Sequence, residues 1–99
     1  MNQFVLVGKI VTKGVVEKTE KDVDILEIKL AVSRPYKNEY GIYEKDYIKI
    51  QILGNGASLA SENCNIGDVL GVKGSIRGNN DEMSLVSEKV TFLSTGANK

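Results

Sequence analysis

Hydrophobic residues recur in this sequence with a period of two. Leu26, Ile28, Leu30 and Val32 alternate with Glu27, Lys29 and Ala31, and Ile48, Ile50 and Ile52 alternate with Tyr47, Lys49, Gln51 and Leu53. Leu70, Val72, Gly74 and Ile76 alternate with Gly71, Lys73, Ser75 and Arg77. Successive side chains of a strand point to opposite faces, so each run predicts a strand with one face in a core and the other in solvent. The stretch Phe4 to Val16 is apolar on both parities in its first half, which predicts a strand covered on both sides. A last strand is expected from about Met83 to Leu93.

One short helix is expected between the third and fourth strands. Gly54-Asn55-Gly56 makes a turn, Ala57, Ala60 and Cys64 then fall at i, i+3 and i+7, and Asn65 and Gly67 are stop signals. Three strands, a helix and two strands is the layout of the all-β, five-stranded OB-fold barrel. A chain of 99 residues holds one hydrophobic core and not two. Residues 1–94 are therefore expected to form one domain and 95–99 a flexible tail. Two connections are polar: a long one from Arg34 to Asp46, rich in tyrosine and lysine, and a short one from Gly78 to Glu82.

Much chemistry is excluded by what the chain lacks. Without histidine there is no Ser-His or Cys-His nucleophile pair. Cys64 is the only cysteine, so it forms no intrachain disulfide or thiolate cluster, and it reads as a small apolar filler. Glu17, Glu20, Asp22 and Asp24 crowd the first turn, but no Ca²⁺-loop spacing with a closing Gly and Glu follows. Gly54-Asn55-Gly56-Ala57-Ser58-Leu59 has Leu59 where a dinucleotide fingerprint needs its third glycine. Gly71-Val72-Lys73-Gly74 sits inside a predicted strand. No catalysis, metal, cofactor or small-molecule substrate is expected. The run Phe4-Val5-Leu6-Val7 is cut by Gly8-Lys9 with no basic segment before it, so neither a signal peptide nor a membrane span is expected. The expected setting is cytoplasmic.

Lys and Arg number 13 and Asp and Glu number 13, a formal net charge of zero. A nucleic-acid binder with that balance must gather its lysines on one face. Lys29, Lys37, Lys45 and Lys49, with Arg34, stand against Glu39, Glu44 and Asp46; other acids crowd the first turn and the last hairpin. If Ile48, Ile50 and Ile52 fill the barrel, Tyr47, Lys49, Gln51 and Leu53 share the opposite face. Lys73, Ser75 and Arg77 line up likewise. Base stacking on an aromatic ring contributes about 1–3 kcal/mol per base whatever the sequence, and lysine–phosphate contacts add a salt-sensitive part.

The segment Leu30-Ala31-Val32-Ser33-Arg34-Pro35-Tyr36-Lys37-Asn38-Glu39 resembles the second strand and following loop of bacterial single-stranded DNA-binding proteins. So do Met1-Asn2 through Leu6-Val7-Gly8-Lys9, Gly67-Asp68 through Val72-Lys73-Gly74, and Glu88-Lys89-Val90-Thr91-Phe92-Leu93, in the family's order and spacing. The resemblance implies an OB barrel that binds single-stranded DNA in replication, recombination or repair, as a homo-oligomer, tetramer or dimer. It puts stacking positions at Tyr36, Tyr47 and Leu53, the last usually Phe or Trp. A fourth, on the last hairpin, has no aromatic counterpart here. The family's flexible linker and acidic tip do not follow Leu93 in these 99 residues.

The candidate DNA-binding set is therefore Arg34, Tyr36, Lys37, Tyr47, Lys49, Leu53, Lys73 and Arg77. Arg34 is expected as a phosphate contact in preference to an ion pair, and Tyr40 and Tyr43 as rings that pack to stiffen the hairpin. Leu53 is expected beside Tyr47 and Lys49, the competing placement being inward, seating the helix. The alternative function is a primosomal accessory or protein-interaction OB module with weak or no DNA binding.

Overall fold

The alternating runs fold as strands whose even-numbered residues meet in one core. The computed structural model describes residues 1–79 and 81–94. Its elements are β1 (Phe4–Lys13), the two-residue β2 (Glu17–Lys18), β3 (Asp24–Lys37), β4 (Tyr43–Leu53), α1 (Asn55–Asn63), β5 (Val69–Asn79) and β6 (Glu82–Ser94). Phe4, Ile10, Leu26, Ile28, Leu30, Ile50, Ile52, Leu70, Val72 and Val86 are buried. Burying such side chains stabilises by about 1.5–3 kcal/mol each and is the main force holding the strands together.

The strands run β1-β5-β6-β4-β3 around the wall, and a β1–β3 pairing closes it; β2 adds only to the start of β3. β4 and β6 are parallel and the other pairs antiparallel, so this is a closed, mixed, five-stranded barrel with one helix. Closure is made by β1 alone. Phe4 to Lys9 pair with β5, Lys9 to Lys13 pair with β3, and a bulge between Ile10 and Thr12 bends the strand from one partner to the other. At that crossing Gly8 lies against β3, where a Cβ would stand 2.6 Å from the Ala31 carbonyl oxygen.

Helix α1 packs on the ends of β3 and β4 through buried Ala57 and Ala60. Gly54, at φ +74°, turns the chain into it, a conformation that glycine adopts without penalty. The last turn of α1 has no basic residue of its own. Lys13 supplies one from β1: its Nζ donates to the Ser61 carbonyl at 3.0 Å and the Cys64 carbonyl at 2.8 Å. A cation there offsets the negative end of the helix dipole and satisfies carbonyls the helix leaves open.

Two boundaries differ from expectation. The first strand stops at Lys13 rather than Val16, because Gly14 N–H turns to the Glu27 carbonyl and Val15 points into solvent. The long polar connection is largely strand: β3 runs to Lys37 and β4 begins at Tyr43. The turn between them is held by Asn38, whose Oδ1 accepts from the Tyr40 and Ile42 amides. Asn80, in the short last hairpin, and the expected tail 95–99 lie outside the described residues.

The β5–β6 pair carries its own bulge after Lys73, and there Gly74 lies under Val86. A Cβ on Gly74 would run into the Val86 carbonyl oxygen and stand 2.9 Å from the Phe4 ring. Gly74→Ala is therefore expected to destabilise the domain by at least about 1–3 kcal/mol, the cost of overpacking against backbone that has nowhere to move. Chemical denaturation of the variant against the parent checks this.

Candidate nucleic-acid interface

The pairing of β3 with β4 sets out the candidate face residue by residue. Directly opposed residues of an antiparallel pair share one face. Glu27 opposes Gln51, Lys29 opposes Lys49, Ala31 opposes Tyr47, Ser33 opposes Lys45 and Lys37 opposes Tyr43. Because Lys9 of β1 also opposes Ala31, the row Lys9, Ala31, Tyr47 crosses three strands. All these odd-numbered residues point away from the core, which takes Leu26, Ile28, Leu30, Ile50 and Ile52.

The Tyr47 ring is 62% exposed. Its opposite neighbour is the methyl group of Ala31, so nothing bulky on β3 competes for the space above that ring. Around it on the same face stand Lys9, Lys29, Lys45 and Lys49, none in an ion pair among the described residues. Lys29 directly opposite Lys49 is destabilising for the free protein, since like charges repel across a ladder. An anion between them removes that repulsion. Sequence reasoning reached Tyr47, Lys49 and Lys37; it missed Lys9, Lys29 and Lys45 as one set, because only the strand register brings them together.

Acids on β4 face the other way. Glu44 and Asp46 alternate with Tyr43, Lys45 and Tyr47 and meet Arg34. Arg34 Nε donates to both Asp46 carboxylate oxygens (3.3 and 3.2 Å), Nη2 donates to Asp46 Oδ1 at 2.9 Å, and Nη1 donates to Glu44 Oε1 at 2.8 Å. In the free protein the expected preference for a phosphate contact over an ion pair is thus reversed. The guanidinium is committed to two carboxylates and clamps β3 to β4 on the face opposite Tyr47. The Arg34 hydrogen bonds hold the Asp46 carboxyl below its ordinary range, and Asp46 in turn raises the Arg34 guanidinium.

The remaining candidates are spread over the surface. Tyr36, 62% exposed, falls in the irregular stretch between Ser33 and Lys37, beside Arg34 and off the regular lattice. Leu53 has the parity of Tyr47 and Lys49 but is half-buried at the strand end, between α1 residues Gly56 and Leu59 on one side and Val23 on the other. It belongs neither to the open face nor to the core. Lys73 and Arg77 are exposed on β5, which β1 separates from β3. Lys73 faces Lys89 of β6, a second opposed lysine pair that only the β5–β6 register brings together. Tyr40 and Tyr43 are exposed, and no tyrosine ring contacts another among the described residues, so they do not pack as a stiffening cluster. Lys37 instead places its Nζ 5.7 Å from the centre of the Tyr43 ring.

Other chemistry finds little footing. Among the described residues no three His, Cys, Asp or Glu side chains gather as a metal would need, and no helix is long and apolar enough to cross a membrane. Burial raises the pKa of the Cys64 thiol, which disfavours its nucleophilic form.

Comparison with known proteins agrees with the geometry. The model of the single-strand binding protein family matches residues 1–94. Single-stranded DNA-binding protein 3 of Listeria innocua is 30% identical, over 99% of this chain and 67% of its own length. Single-stranded DNA-binding protein 1 of Streptococcus pyogenes is 29% identical, over 77% of this chain and 58% of its own. The chain thus spans about two thirds or less of these relatives. Among solved structures, priB from Ralstonia solanacearum superposes with a TM-score of 0.74 at 18% identity, covering 94% of this chain and 99% of that one. The single-stranded DNA binding protein from Thermus aquaticus superposes with a TM-score of 0.75 at 20% identity, covering 95% and 50%.

The Arg34 clamp has a pH signature. A carboxyl whose folded pKa is depressed contributes stability above its unfolded value, about 3.9, and that contribution is lost as pH falls through the folded value. In an NMR titration the Asp46 carboxyl carbon should show a midpoint below ~3.9, and Arg34→Ala should move it upward. Amide exchange at Lys45 should quicken as Asp46 protonates.

Proposed function

The chain belongs to the single-strand binding protein family, and we propose that it binds single-stranded DNA of any sequence on the outer β3–β4 face. One observation carries this reading: an exposed Tyr47 ring over a methyl-sized neighbour, with Lys9, Lys29, Lys45 and Lys49 around it and the acids of β4 turned away. A base stacks on the ring while its flanking phosphates meet the lysines, so neither contact reads a sequence. Lys37, next along β3, lengthens the track toward the hairpin, and Tyr36 offers a further exposed ring off that lattice. Lys73, Lys89 and Arg77 offer phosphate contacts where a longer strand passes over β5 and β6. Such coating serves replication, recombination or repair by keeping exposed strands apart.

A second reading, a protein-docking OB module with weak DNA binding, is supported by Leu53 in place of a stacking ring. It is also supported by an open cavity of about 340 Å³ between α1 and β6, bordered by Leu59, Cys64, Val90 and Phe92. Titration with oligo-dT separates the two. Affinity should exceed that for duplex and fall as salt rises. Tyr47→Ala should weaken it by about 1–3 kcal/mol without lowering the melting temperature. Lys49→Ala should cost less and reduce the salt slope by about one counterion. Equal affinity for duplex and single strand, or a Tyr47→Ala variant that binds normally, would sink the leading reading.

We also propose that the protein self-associates through β1. Val5 and Val7 on its outer side are 67% and 54% exposed, with Val7 opposite Gly71 and Val5 opposite Lys73. Two such surfaces related by a twofold axis cover each other. Light scattering at micromolar concentration should give a dimer or tetramer, and Val5→Lys with Val7→Lys should shift the mass to a monomer.

A further inference from the structure

Resting on the single-stranded DNA reading above, we infer that the bound strand continues past the barrel onto the free end of the β3–β4 ribbon. There Tyr43 is a further stacking platform and Lys45 the phosphate contact between it and Tyr47.

Beyond the Ala31–Tyr47 row the ribbon has no third strand. The β1–β3 pairing ends at Lys9↔Ala31, and β6 meets β4 only at Gln51 and Ile52. Residues 43–46 and 32–37 therefore form a two-stranded extension open to solvent. Along β4 the outward positions read Tyr43, Lys45, Tyr47, Lys49, a strict alternation of ring and cation. Tyr43 and Tyr47 are four residues apart, about 14 Å at the rise of an antiparallel strand. That spans about four nucleotides at the 3.4 Å step of a stacked strand, and fewer when the strand is pulled out. Charge complementarity along the path is set by Lys37 and Lys45 on the same face, while Glu44 and Asp46 are held on the other by Arg34.

A purely structural role for Tyr43 has nothing to act on. Tyr43 is 53% exposed and its ring touches no other ring among the described residues, and the turn beyond it is already fixed by the Asn38 hydrogen bonds. The Lys37 ammonium stands over the ring, 5.7 Å from its centre. That arrangement keeps a cation beside the platform, ready to shift to a phosphate when a base arrives.

The test compares short and long oligo-dT. A strand of about two nucleotides is too short to touch Tyr47 and Tyr43 together, whereas one of about twelve reaches the ribbon end. Tyr43→Ala should leave the short oligomer's affinity unchanged and weaken the long one by about fivefold or more, while Tyr43→Phe keeps the ring and the affinity. The chain has no tryptophan, so Tyr43→Trp gives a single fluorophore. It should be quenched by the long oligomer and not by the short one. If Tyr47→Ala weakens binding of the long oligomer while Tyr43→Ala leaves it unchanged, or if the Trp signal does not respond, the ribbon extension is wrong and the barrel site stands. If the unmodified protein binds neither oligomer, the single-stranded DNA reading falls and takes the extension with it.

Discussion

The barrel depends on one strand having two partners. β1 pairs first with β5 and then with β3, and the sheet closes only because the bulge at Val11 lets it bend between them. Gly8 permits the close crossing over Ala31 that the bend requires. The same crossing delivers Lys9 to the Ala31–Tyr47 row, so the contact that closes the core also completes the candidate binding face. A side chain at Gly8 would therefore disturb both, even though the residue touches neither base nor phosphate. Lys13, further along β1, ties the helix end to the same strand, and the fold's three parts meet on it.

Pleating solves the charge problem of a neutral chain. With as many acids as bases, there is no net field to draw a polyanion. Alternation on β4 sends Tyr43, Lys45, Tyr47 and Lys49 to one side and Glu44, Asp46 and the core isoleucines to the other. Arg34 then neutralises the acids where they emerge beyond the core, so they do not oppose the lysines across the thin ribbon.

The period of two made the strands, the core residues and the Tyr47–Lys49 face legible in the sequence, because parity alone assigns each residue a side. What parity does not give is which strand lies next to which residue. Lys9, Lys29 and Lys45 join Tyr47 only through the β1–β3–β4 register, and Lys73 meets Lys89 only through that of β5 and β6. The ion pairs of Arg34 were missed for a related reason: the chain beyond Val32 looked like a loop, where a guanidinium is free, and is a bulged strand facing two acids. Leu53 is half-buried where it borders two cavities, one shared with α1 and one with Val23, neighbours that its place in the pattern does not announce.

These placements also bear on how such a face tells a single strand from a duplex. Lysines meet phosphates of either, so charge alone confers no preference. A stacking platform does, because a duplex keeps its bases inside and offers a flat tyrosine nothing to stack on. On the proposed reading, with Leu53 lacking a π-face, discrimination falls to Tyr43 and Tyr47, which share one face of the ribbon. The neutral total works in the same direction. Summed over the rest of the protein there is no excess positive charge to hold duplex DNA, so on the proposed reading the attraction is concentrated where the lysines gather.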